Sequence, residues 1–90
     1  MQRVHIIVYG IVQGVFFRAN AKKVAETLGL NGYIRNMADG SVEVVAEGPE
    51  QKIKELIEFC KKGPKAARVD KFDIHIEEAS NEFDGFEIRH

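Results

Sequence analysis

The chain has 90 residues, 44% hydrophobic and 30% charged, an ordinary globular composition that argues against disorder. Thirteen basic against 14 acidic residues give a net charge of −1, without the basic surplus that a duplex nucleic-acid binder needs to neutralise phosphates. The single cysteine, Cys60, allows no internal disulfide and no paired-cysteine metal site, and no apolar run reaches membrane-spanning length. The opening Met1-Gln2-Arg3-Val4-His5-Ile6 runs into a strand pattern and lacks a signal-peptide layout, so one cytoplasmic domain over residues 1–90 is expected.

Arg3 to Tyr9 is rich in β-branched residues, with Val4, Ile6 and Val8 on one face and Ile7 on the other. Apolar residues on both faces predict a central, well-covered strand. Gly10 to Gly14 breaks that pattern, and from Phe17 the spacing turns helical, with Ala21, Val24, Ala25 and Leu28 on one stripe. Gly29 suits a left-handed helix end, with Leu30 folding back. Gly32 to Met37 and Ser41 to Glu47 predict a hairpin about Asp39-Gly40.

A second helix follows, with Pro49 expected at its first helical position. Ile53, Leu56, Ile57 and Cys60 make its apolar stripe, and Gly63 and Pro64 end it. Val69 to Glu77 alternates as a half-exposed strand, and Phe86 and Ile88 alternate in a short terminal strand at an edge. The order is βαββαβ plus a short β. This is an α+β, ferredoxin-like sandwich: an antiparallel sheet with both helices on one face.

Two segments carry chemistry. In Gly10-Ile11-Val12-Gln13-Gly14-Val15-Phe16-Phe17-Arg18 a strand ends, a loop bounded by glycines follows, and a helix begins. A helix N-terminus offers unpaired N–H groups and the positive end of a dipole, and glycines let successive amides turn inward around an anion. Arg18 adds a planar fork that grips phosphate through two hydrogen bonds. The pattern reads as a phosphate or carboxylate cradle, or as a tight turn with an exposed arginine. In the second segment Asn36 closes the second strand near the hairpin, where its amide can hold a water in fixed orientation or serve only the turn.

Together these segments resemble the signatures of the acylphosphatase family. Val12-Gln13-Gly14-Val15-Phe16-Phe17-Arg18 looks like the first; Gly32-Tyr33-Ile34-Arg35-Asn36 with Asp39-Gly40-Ser41-Val42-Glu43-Val44 and Glu47-Gly48 looks like the second. The resemblance covers essentially the whole chain and implies a βαββαβ sandwich that hydrolyses acyl phosphates without cofactor or metal. It makes Arg18 the phosphate-binding arginine and Asn36 the residue that orients the attacking water. The backbone amides of Gln13, Gly14, Val15, Phe16 and Phe17 become the cradle. Ile11 departs from the basic residue common at its position, and Ala21 from a common threonine.

The expected partner is a small-molecule acyl phosphate, with no nucleic acid and no membrane, and a monomer is the default. A non-catalytic anion-binding module on the same fold is the alternative. RNA binding on the open sheet is disfavoured, because Val42-Glu43-Val44-Val45-Ala46-Glu47 has no aromatic and carries acids. His5, His75 and His90 are too scattered to suggest a metal site. Phe16 could line the substrate pocket or simply pack, and packing is the favoured reading.

Overall fold

The computed structural model describes residues 1–90. Its elements are β1 (Gln2–Ile11), α1 (Phe17–Thr27), β2 (Asn31–Asn36), β3 (Val42–Gly48), α2 (Glu50–Lys62), β4 (Arg68–Glu78) and β5 (Phe86–Arg89). The strands form one sheet in the order β4-β1-β3-β2-β5. β1 is antiparallel to both β3 and β4, and β2 is antiparallel to β3. The expected order of elements is therefore present, with one refinement: β5 lies parallel to β2, so the sheet is mixed. The chain leaves β4 at one edge and returns at the other, and that crossing sets the direction of β5.

Alternation along the strands decides which side faces the helices. Ile74, Ile6, Val44, Ile34 and Ile88 lie side by side in register across all five strands. The core is built from that side of the sheet, with Phe17, Ala21 and Ala25 of α1 and Ile53, Leu56, Ile57 and Cys60 of α2. Both helices end on glycines, Gly29 and Gly63, each at φ +71°. Leu30 folds back to 2% exposure, its amide bonded to the Ala25 carbonyl at 2.9 Å. Pro49 precedes α2 instead of occupying its first turn: its ψ of 144° is extended, and α2 begins at Glu50. A proline has no N–H to lose at either place. No helix is long and apolar enough to cross a membrane.

The opposite face carries no second layer, which corrects the expectation that β1 is covered on both sides. β1 is central, but Ile7 on that face is only half-buried. Charged side chains and part of the segment between β4 and β5 lie over that face instead, with Arg3 stacked on Phe83 and Arg89 on Tyr33. Beneath them Glu43 and Glu47 are 7% and 5% exposed. Glu43 accepts hydrogen bonds from Arg35 Nε at 2.6 Å and His5 Nε2 at 2.7 Å. Glu47 accepts from Arg3 Nε, the Ser80 amide and hydroxyl, and the Asn81 amide, at 2.8–3.1 Å. It thereby pins the segment that crosses from β4 to β5. Burial alone would raise both carboxyl pKa values, but these donors outweigh it and hold both below the usual range.

Candidate active site

The loop between β1 and α1 is anchored at both ends by buried apolar residues, Val12 and Phe17, each 1% exposed. Between them the backbone enters the left-handed region twice, at Gly14 (φ +74°) and at Phe16 (φ +65°). Glycine takes that conformation without strain; for a bulky side chain it is unusual. Asn20 holds Phe16 in place, its backbone amide and side-chain Nδ2 both donating to the Phe16 carbonyl at 3.1 and 2.9 Å. The amides of Gln13, Gly14, Val15 and Phe16 donate to no backbone carbonyl and to no side chain. Phe17, the first helical residue, also has no intrahelical acceptor for its amide. The first turn of α1 contains no acid, so nothing offsets the positive end of its dipole.

Arg18 projects from that first turn and is half-buried. Arg3, Arg35, Arg68 and Arg89 each pair with a carboxylate at 2.6–2.9 Å, whereas Arg18 has no such partner. Asn36 ends β2 on the same face as Ile34, in register with Val42, and so faces the helical layer. Its Oδ1 is buried and accepts no hydrogen bond from the protein. Leaving a buried acceptor unpaired costs about 1–3 kcal/mol, a penalty that native structures rarely carry without a use. Arg18, Asn36 and Gly14 line one cavity of about 390 Å³.

A larger hollow, about 560 Å³, lies on the open face among Arg3, His5, Tyr33, Phe83 and Arg89. Its cations are already satisfied: Arg3 pairs with Glu47 and Glu82, and Arg89 pairs with Glu87 while stacking 4.0 Å over Tyr33. The smaller cavity therefore holds the uncompensated positive potential.

The sequence model of the acylphosphatase family matches residues 4–88. An acylphosphatase of Caldivirga maquilingensis is 49% identical over 89 residues, spanning 98% of this chain and 94% of that protein. The chain belongs to the acylphosphatase family. Among solved structures of acylphosphatases, that from Bacillus subtilis superposes with a TM-score of 0.95 at 33% identity, over all of both chains. One from Coxiella burnetii superposes at 0.90 with 36% identity, covering 98% of this chain and 92% of its own.

Three features of this acylphosphatase-family enzyme escape sequence reasoning. Gln13 was credited only with its backbone amide, yet its side chain joins the loop to the hairpin. Nε2 donates to the carbonyls of Met37 and Ser41 at 2.8 and 2.9 Å. Since both partners are acceptors, the nitrogen must face them. A polar residue between apolar Val12 and Gly14 in a tight loop was the available signal. Second, Phe16 takes the less favoured of its two readings: it is 74% exposed and lines the cavity instead of packing. Phe17 takes the core position because it falls on the buried stripe of α1. Third, Ile88 and His90 also line the cavity. Ile88 lies beside Ile34 in the parallel β2–β5 pair, so the chain leaves β5 next to Asn36. Nothing in the sequence reveals that pairing.

Proposed function

We propose that the chain hydrolyses acyl phosphates to a carboxylate and inorganic phosphate by direct attack of water on phosphorus. The amides of Gln13 to Phe17 and the Arg18 guanidinium hold the phosphoryl oxygens, and Asn36 orients the water. The observation that carries this reading is one cavity lined by both an unneutralised arginine and a buried, unpaired asparagine oxygen.

The chemistry needs little more. An acyl phosphate is a mixed anhydride whose leaving group is a carboxylate, with a conjugate acid of pKa about 4–5, so it departs as an anion without a general acid. Phosphoryl transfer passes through a loose transition state in which positioning and charge stabilisation carry most of the work. Arg18 and the loop amides supply fixed positive charge before the reaction begins. Asn36 places the water in line with the departing oxygen. The water oxygen bonds phosphorus, the bond from phosphorus to the acyl oxygen breaks, and a phosphate oxygen takes the water's proton. No step passes through a metal or cofactor. In this reading residues 1–90 act as one unit, a monomer working in the cytoplasm.

The test is hydrolysis of benzoyl phosphate in excess EDTA, followed by loss of ultraviolet absorbance, with the products analysed after reaction in H₂¹⁸O. Turnover with label only in phosphate is expected. Label in benzoate would mean attack at carbon and would remove Arg18 and the amides from the transition state. Inorganic phosphate binding with no turnover would leave an anion-binding module instead of an enzyme.

A further inference from the structure

We propose that β4 is a self-pairing edge: two copies of the chain associate antiparallel along it, about a two-fold axis at Ile74, and join their five-stranded sheets into one. The inference is independent of the proposed hydrolysis, because no residue of β4 lines the cavity of Arg18 and Asn36.

The two edges of the sheet differ. β5 spans four residues, whereas β4 spans 11 and pairs on one side only, with β1. Its other side presents a row of backbone donors and acceptors, the template on which a further strand adds. Proteins blunt such edges with proline, bulges or charge. Residues 71–77 contain no proline, and the one register shift against β1 lies beside Tyr9 and Gly10, ahead of them. On the helical side Phe72, Ile74 and Ile76 continue the rows of Val8, Ile6 and Val4. Those three β1 residues are fully buried, yet Ile74 is 38% and Ile76 49% exposed. The helical layer stops short of this edge.

Charge remains as protection, and its order favours a second copy. The open face of β4 carries Lys71, Asp73, His75 and Glu77, a basic residue alternating with an acid. Turned antiparallel, that row complements itself. With Ile74 on the axis, Lys71 lies opposite the partner's Glu77 and Asp73 opposite the partner's His75. On the other face Phe72 lies opposite the partner's Ile76, and Ile74 meets its own copy. Opposite charges and apolar pairs in these positions stabilise a strand pair, and like charges destabilise it. Centring on Asp73 sets that carboxylate against its own copy, and centring on His75 sets Asp73 against Glu77. A one-residue slip puts Ile74 opposite Asp73 and turns one apolar face to the wrong side. Within its own chain Glu77 has only a 4.0 Å contact with His75, and Lys71 rests over the Tyr9 ring. A two-fold pair is closed, so association stops at the dimer. One strand edge buries less than the roughly 1,200 Å² of a standard interface, so the dimer is weak and dilute enzyme stays a monomer.

Sedimentation of the full chain from about 1 µM to 1 mM tests this. The weight-average mass should rise from 10.1 kDa toward twice that value. Lys71→Glu and Glu77→Lys should each stay monomeric, because each sets like charges opposite one another. An equimolar mixture of the two variants should dimerise again, since both cross-strand pairs then become opposite in sign. Circular dichroism and hydrolysis kinetics on dilute samples check that each variant folds. As a second measure, Ile74→Cys should crosslink to its own copy under mild oxidation about tenfold faster than Ile76→Cys. Directly opposed Cα atoms lie within disulfide reach and those of Ile76 do not, while Cys60 is buried. A wild type that stays monomeric to about 1 mM overturns the inference and leaves the edge unused or open to a different strand. So does growth beyond the dimer, a mixture that stays monomeric, or equal crosslinking at both positions.

Discussion

Removing the Gln13 side chain should damage catalysis more than it damages the fold. Its Nε2 makes two hydrogen bonds, to the Met37 and Ser41 carbonyls, and these join the β1–α1 loop to the hairpin that carries Asn36. In Gln13→Ala both carbonyls keep a backbone donor. Gly40 N–H still reaches Met37 at 3.2 Å, and Met37 N–H still reaches Ser41 at 2.8 Å. Neither acceptor is orphaned, so the loss is close to the ordinary net value of about 1 kcal/mol per bond, roughly 1–3 kcal/mol in all. For a domain of this size that lowers Tm by roughly 4–24 °C, so the kinetics are read below the variant's own unfolding transition. The loop and Asn36 would then no longer be held in one frame. Misplacement of reacting groups by about 1 Å costs on the order of 100-fold, so kcat/KM should fall about 10- to 100-fold. Gln13→Glu should be worse above its carboxyl pKa, because an anion would face two carbonyl oxygens and could donate to neither. Thermal unfolding and benzoyl phosphate kinetics on both variants test this. If Gln13→Ala keeps kcat/KM within about twofold, the loop and hairpin are aligned by something other than this side chain, and the argument is refuted.

Arg18→Lys should lose about 100-fold or more in kcat/KM with the circular dichroism spectrum unchanged, since a point donor cannot replace a planar fork; near-normal turnover would remove Arg18 as the phosphate grip. Asn36→Ala should cut kcat severely while competitive inhibition by phosphate stays nearly constant, and equal turnover would take Asn36 out of the mechanism. Cys60 is 0% exposed and burial pushes its thiol up to about 12, so it should resist a thiol reagent in the native protein and react on denaturation. Glu43 and Glu47 have folded pKa values below the unfolded carboxylate value of about 4.3, so their stabilisation is full well above that pH. It should fade as the pH falls through the lowered folded values. Urea midpoints should therefore drop below about pH 4, and Glu47→Gln should flatten that dependence.

Much of the molecule was legible in one dimension. The period-2 run of Val4, Ile6 and Val8 and the helical stripe of Ile53, Leu56, Ile57 and Cys60 follow from side-chain direction along a strand or helix, a local property. The glycine-bounded loop ahead of α1 was legible for the same reason, because amide exposure at a helix start depends on nearby backbone angles. The fate of other residues depends on which strands become neighbours. In the sequence Glu43 and Glu47 are only acids that the third strand carries. Glu43 is buried because β3 lies between β1 and β2, whose His5 and Arg35 close over it, and Glu47 because Arg3 and the segment crossing from β4 to β5 close over it. Alternation selects a face but says nothing about what covers it. Ile88 and His90 reach the cavity only because β5 crosses to the far edge and pairs in parallel with β2. Gln13 finds its acceptors 24 and 28 residues away along the chain. The sequence by itself determined the elements and the buried stripes, and it singled out the residues proposed to bind phosphate. Tertiary structure decided which of those residues share a cavity, because contacts between segments distant in sequence leave no periodic trace in either one.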